Sequence, residues 1–290
     1  MKLAVLIPTY GRKAIAGRLL AHLSRQTRRP DLVVVAVADE GHAPPAFDAA
    51  FPVKTVLSRA GLTAQRNAAI AHAIDSHDIL VFFDDDFLAA GNYLEGVERA
   101  FAEHPSWSAV TGHVIADGIT GPGLSFDEGL EILKSDAAGV HGDTGPVEEF
   151  SAYGCNMGLR SSAIGSLRFD ERLPLYGWQE DVDFTSRLRQ RGAVMRLPAL
   201  RGVHLGIKSG RVSGVRFGYS QIANPVYLIR KGSVPLRRGV AQISRNIAAN
   251  VVKSLWPEPH VDRRGRLRGN LIAAYHLSRG RVEPEHILKL

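Results

Sequence analysis

Cysteine is all but absent from these 290 residues: Cys155 stands alone, so no internal disulfide can form, and a reducing cytoplasm is the simplest compartment. Long apolar runs are missing too, and nothing approaches the ~18 uninterrupted apolar residues that a bilayer span needs. The opening stretch, Met1 to Pro8, carries one basic residue and a short apolar run broken by proline, which suits a buried strand better than a secretion signal. No G-x-G-x-x-G follows that run and no G-x-x-x-x-G-K-[ST] occurs, which argues against hydride transfer on a dinucleotide and against P-loop chemistry. Ser161 and Ser162 have no Ser/His/Asp arrangement around them and read as a helix start.

What is present is ordinary in amount and uneven in placement. An apolar content of 45% with 22% charged residues is that of a globular chain able to bury a full core. The net charge of +7 divides sharply: residues 201–290 hold 17 Lys/Arg against 4 Asp/Glu, and residues 1–200 hold 19 against 25. An acidic body with a basic tail is the expectation.

Along the body, β-rich apolar runs alternate with helical patterns: strands at Leu3–Ile7, Leu32–Val37, Val53–Leu57 and Ile79–Phe83, helices at Ile15–Leu23, Leu62–Ile74 and Tyr93–Phe101. That alternation predicts an α/β fold with a mostly parallel, doubly wound sheet and helices on both faces. Ligands of such sheets bind beyond the carboxyl ends of the strands. Pro8-Thr9-Tyr10-Gly11-Arg12, Asp39-Glu40-Gly41 and Asp84-Asp85-Asp86 all follow strands, so all three should open on one edge.

Asp84, Asp85 and Asp86 are the most informative residues. Three adjacent carboxylates repel one another and cannot sit at the end of a buried strand without partners, which points to a divalent metal carrying a phosphate. A solvated loop whose last acid caps the next helix accounts for the same residues.

The chain resembles the family 2 glycosyltransferases, which have the GT-A fold. The matching stretches are Ile7 to Arg12, Ala38 to Gly41, Gly61 to Asn67, Phe83 to Asp86, Gly154 to Arg160 and Gly177 to Asp183, in the family's order across residues 3 to about 205. The resemblance implies a GT-A catalytic domain over 1–205, with a nucleotide-sugar half to about 112 and an acceptor half from about 113. A basic helical extension then occupies 206–290. It implies that Pro8, Thr9, Tyr10 and Arg12 line the nucleotide pocket, that Asp39 accepts a hydrogen bond from the base, most often uracil, and that Arg66 reaches the nucleotide or its diphosphate. Asp84 and Asp85 fall on the nucleotide side, while Asp86 and His204 would hold Mg2+ or Mn2+. Arg66 also fits the polar face of a helix, and His204 a core or surface position.

Asp181 is the candidate base for an inverting displacement, because the acceptor hydroxyl must lose a proton as it attacks. An acid in the first turn of a helix over Val182–Arg191 is its structural alternative. Asn156, Trp178 and Glu180 would meet the acceptor, with Tyr153 and Trp178 as flat apolar surfaces, and the glycine-rich stretch 113–150, read as irregular, would select it. The family's processive members carry Q-x-x-R-W and membrane-spanning helices, both lacking here, so single-sugar transfer is expected. The implied partners are a nucleotide sugar, probably UDP-linked, and a glycan or lipid-linked acceptor of envelope or exopolysaccharide synthesis. A sugar-phosphate nucleotidyltransferase or a noncatalytic glycan-binding protein would share the fold.

In the tail, Val240, Ile243, Ile247, Val251 and Leu255 recur at spacings of three and four, an amphipathic stripe that needs a partner. The body, a second subunit or an anionic membrane surface would serve, the last implying peripheral contact at the inner face of the cell membrane. Nucleic acid is not expected, because no recognition motif accompanies the charge.

Overall fold

The computed structural model describes residues 1–46, 48–139, 144–208, 213–256 and 258–290. The first half is built from β1 (Leu3–Thr9), α1 (Lys13–Leu23), β2 (Leu32–Val37), β3 (Val53–Leu57), α2 (Leu62–Ala73), β4 (Ile79–Phe83), β5 (Phe87–Ala89) and α3 (Tyr93–Glu103). There follow β6 (Trp107–Asp117), α4 (Phe126–Ala137), β7 (Val147–Glu148), β8 (Asn156–Arg160), α5 (Ser161–Ile164), α6 (Glu180–Leu188) and β9 (Ala193–His204). The tail forms α7 (Gly214–Lys231), α8 (Leu236–Leu255) and α9 (Arg263–Ser278).

The strands join in one sheet of order β3-β2-β1-β4-β8-β6-β9-β5, with β7 on β9. The predicted parallel core is β3-β2-β1-β4. Beyond β4 the sheet turns mixed, since β8 runs antiparallel to both β4 and β6 while β6 and β9 are parallel. Alternate residues of a strand point to opposite faces, and β1 shows both. Leu3, Val5 and Ile7 pack with Leu19, Leu20, Leu23 and Val97 of α1 and α3; Ala4 and Leu6 pack with Ala69, Ile70, Phe184 and Leu188 of α2 and α6.

Two stretches differ from the sequence expectation. The apolar run Val194–Leu197 does not end the last strand: β9 continues to His204, which is its final residue. The extension passes Pro198, which lacks an amide donor, where the register with β6 shifts between Gly112 and His113. Region 113–150, read as irregular, contains the end of β6 and the helix α4, whose start is fixed by a reciprocal capping box between Ser125 and Glu128. Residues 140–143 of that region lie outside the described residues.

The tail is welded to residues 150–183 of the body. Gly218 and Gly269 let α7 and α9 approach so closely that a Cβ on either would collide with the other helix's backbone. Tyr219, Ile222, Ala223, Ala273, Val282 and Ile287 form a core that Leu175 of the body joins, and Leu228 and Val234 pack on Leu173, Phe150 and Val182. Lys231 of α7 donates to Asp170 at 2.5 Å and to the fully buried Asp183 of α6 at 2.8 Å. Lys231→Met would leave Asp183 with Arg187 alone as counter-charge among the described residues. The expected cost is about 3 kcal/mol of stability, read from the urea midpoint at unchanged m-value.

Candidate active site

The loops after β1 and β4 meet where the sheet changes winding direction, and a cleft of about 250 Å³ opens there, lined by Pro8, Thr9, Tyr10, Arg12 and all three adjacent aspartates. Apolar strand sequences drive the burial and carry the charges with them: Asp85 and Asp86 are only 4% and 3% exposed. Each acid is held separately. Asp85 accepts from Thr9 Oγ1 at 2.6 Å and from Arg12 Nη1 at 2.9 Å. Burial and the neighbouring Asp86 charge nevertheless push Asp85 up to about 7. Asp86 accepts the Ile207 amide at 2.8 Å and lies 3.4 Å from His204 Nε2. Burial would raise Asp86 as well, but His204 and Arg12 outweigh it and hold the carboxyl below its usual range. Asp84 is paired with Arg66 at 3.0 Å.

Asp84, Asp86 and His204 gather with one ligand atom from each lying within 4.8 Å of the others. Two carboxylates and an imidazole are a donor set that can hold a divalent metal ion. The imidazole is already oriented for that purpose: Asp117 accepts at 2.9 Å from Nδ1, which leaves Nε2 directed at Asp86. Tyr153 in turn donates to Asp117 at 3.0 Å. Burial alone would lower the His204 pKa, but the hydrogen bonds to Asp117 and Asp86 prevail and push it up to about 10. Binding a cation at Nε2 must therefore displace a proton. Asp117→Asn removes the stronger of these supports. The expected result is a lower His204 pKa by NMR titration and a Mn2+ affinity weakened 10- to 100-fold by calorimetry, about the usual effect of removing an outer-shell partner. An unchanged affinity would detach Asp117 from the site.

Arg66 lies beneath the cleft and does not line it. Its side chain is 1% exposed, packed beside the rings of Phe82 and Phe169, and its guanidinium reaches Asp84, Glu180 at 2.6 Å and the Gly154 carbonyl at 3.0 Å. One buried cation thus ties the first-strand side of the cleft to α6. The turn into α6 is tight: Leu175 and Gln179 both have positive φ, at 58° and 71°, on either side of Gly177 at 62°. Strain of this kind persists only where surrounding contacts enforce it, and here the Leu62 amide donates to Leu175 at 2.9 Å. Asp181, half-buried, accepts the Gly154 amide and its neighbour Val182's amide, each at 2.8 Å. Burial raises its pKa against the pull of Arg66. Glu180 is raised well above the usual range by burial and by Asp181.

Other residues singled out in the sequence stand apart. Asp39 is exposed, outside the cleft lining, and accepts the Gly41 amide at 2.7 Å as the cap of a short turn. Asn156 is fully buried at the start of β8, where its side chain accepts from Thr111, so it braces the strands and meets no solvent. Trp178 packs edge-on against Phe217 of α7. Tyr10 is 52% exposed at the cleft rim and sits edge-on to His42. Sequence reasoning missed Asp117, Leu175, Tyr176 and Ile207, the last three of which line the cleft. Asp117 lies in the stretch read as irregular, and only the structure puts it at the end of β6.

Residues 4–123 match the family model described as glycosyl transferase family 2. Among solved structures, S. aureus TarS aligns at 16% identity and a TM-score of 0.52 over 89% of this chain, which spans 44% of the TarS chain. The TarS 1–349 structure aligns at 15% identity with a TM-score of 0.57, over 99% of this chain and 82% of that one. The same fragment in complex with UDP aligns at 16% identity and a TM-score of 0.52, over 79% of this chain and 66% of that one. At these identities the likeness is one of fold. No curated protein matches the sequence.

Proposed function

We propose, from a chain whose residues 4–123 belong to glycosyl transferase family 2, that it moves one sugar from a nucleotide sugar to an acceptor hydroxyl with inversion at the anomeric carbon. The observation that carries this reading is the Asp84, Asp86 and His204 cluster on the floor of a cleft at the carboxyl ends of β1 and β4. A UDP-linked donor is supported by the UDP complex of the TarS fragment, whose fold this chain shares. A glycan or lipid-linked acceptor of envelope or exopolysaccharide synthesis is the reading for the second substrate.

A divalent cation held by Asp84, Asp86 and His204 would supply Lewis-acid stabilisation of the charge that builds on the departing diphosphate. Thr9 and Arg12 fix Asp85, so that its charge does not swing into the cleft. Tyr10 and His42 at the rim offer ring surface to the base, with Asp39 beyond them as a hydrogen-bond acceptor. Arg66 holds Glu180 and Asp84 in register, and Asp181, on the acceptor side of that guanidinium, takes the hydroxyl proton. Glu180 and Trp178 shape the acceptor side from the strained turn into α6.

A sugar-phosphate nucleotidyltransferase would need a glycine-rich, basic first loop, and Pro8 to Arg12 has one glycine and one cation. Calorimetric titration of UDP in the presence of Mn2+ and then of EDTA tests the proposal. Binding that requires Mn2+ is expected; metal-independent binding, or none, would overturn it.

A further inference from the structure

Two helices of the tail each have a second apolar face that nothing among the described residues covers. α8 turns Gly239 and Asn250 inward, with Ile243 and Ile247 half-buried against the α7–α9 core. The flank running out from that stripe carries Val240 and Val251, then Leu255 at 66% exposure and Val252 at 58%, and the helix ends on Trp256 at 76%. On α9, Arg264, Arg268, Leu271 at 65% and Tyr275 at 59% recur at helical spacing on the exposed side, while Gly269, Asn270 and Ala273 are buried. A helix apolar on its outer as well as its inner face belongs in contact with something.

Charge decides what that something is. Neither the 20 residues of α8 nor the 16 of α9 include an acid, and each helix carries four Lys or Arg. Among the described residues, no carboxylate forms an ion pair with Arg237, Arg245, Arg264 or Arg268, whereas Lys253 and Arg263 are paired with Glu258. A twofold contact between copies would set this face against itself, cation on cation, with no acid on either helix to relieve it. An anionic lipid surface meets both halves of the face: phosphates take the guanidinium groups, and the acyl boundary takes Val252, Leu255 and the Trp256 ring. No helix among the described residues is long and apolar enough to cross a bilayer, so the contact lies in the plane of the surface. The acidic balance of residues 1–200 would turn the body away from the same lipid and orient the molecule.

We infer that the outer faces of α8 and α9 form a docking surface for an anionic phospholipid membrane. This inference does not rest on sugar transfer, and its test reads binding alone. The full chain is sedimented with vesicles of phosphatidylcholine, pure or mixed with phosphatidylglycerol. Binding to the mixed vesicles that weakens with salt, and none to the pure ones, is expected. The Arg245→Gln/Arg264→Gln/Arg268→Gln variant should lower partitioning by about 100-fold, at roughly fivefold per cation. Leu255→Ser/Trp256→Ser should lower it by about tenfold or more, since both side chains would otherwise leave water. Both sets are surface changes, so unchanged thermal melting is expected. Equal binding to the pure vesicles, or full binding by either variant, would overturn the inference. So would a dimer, seen by light scattering, that Leu255→Ser/Trp256→Ser dissolves in a chain that ignores vesicles, because a second copy would then be the occupant.

Discussion

Asp86→Ala is expected to lower sugar transfer by about 10³-fold, the scale of loss when one electrostatic support of a developing charge is removed, and to abolish Mn2+ binding by calorimetry. The melting temperature in EDTA should stay where it is. The two results belong together. Asp86 gives one oxygen to the Ile207 amide and places the other 3.4 Å from His204 Nε2, so its loss leaves an amide and an imidazole less well satisfied. That costs about 1 kcal/mol. The same substitution removes the carboxylate whose charge helps hold Asp85 at about 7, and Asp85 falls back toward the usual range beside Arg12. Relief of like-charge repulsion offsets the lost hydrogen bond, so stability is unmoved while the ligand set is broken. Transfer at the parent rate, or an intact Mn2+ isotherm, would remove the cation from the chemistry. A fall of many degrees in melting temperature would make Asp86 a structural residue instead.

The Asp84 to Asp86 site was legible because it violates a rule of composition: an apolar strand does not normally end in three adjacent acids. The parallel half of the sheet was legible for a similar reason, since β1, β2 and β4 are uninterrupted apolar segments flanked by helical periodicity. Partners contributed from far along the chain were not. Asp117 reaches His204 across 87 residues and Lys231 reaches Asp183 across 48, and neither separation leaves a periodic trace. The length of β9 was not legible, because Pro198 ends a strand by local rules and only the register shift against β6 shows how it is accommodated. The tail stripe was legible as amphipathic, but not which of its residues turn inward. Of its five apolar residues, Ile243 and Ile247 face the core while Val240, Val251 and Leu255 face out. The inward side is completed by Asn250, which donates to Gln221 at 2.7 Å and to Asn270 at 2.8 Å. A buried amide network is invisible to hydrophobic periodicity, because its members count as polar until their partners are known.

Asp181→Asn should lower kcat by 10² to 10⁴, about the range contributed by a positioned general base, and leave UDP affinity unchanged. Glu180 does not substitute for it: that side chain is 5% exposed and its Oε1 is occupied by Arg66 at 2.6 Å. Asp181 is half-buried, and backbone amides of Gly154 and Val182 aim its carboxylate without neutralising it. Asparagine keeps the shape and can still accept from the Gly154 amide, so the loss should appear in chemistry and not in folding. The pH profile separates a base from a packing residue. Burial raises the Asp181 pKa above the ordinary aspartate value, and the base works only when ionised. Activity in the parent protein should therefore climb along an acid limb displaced upward from that value, and the limb should vanish in the variant. A matching fall in UDP affinity would place Asp181 on the donor side and end its assignment as base. Full transfer by Asp181→Asn would do the same.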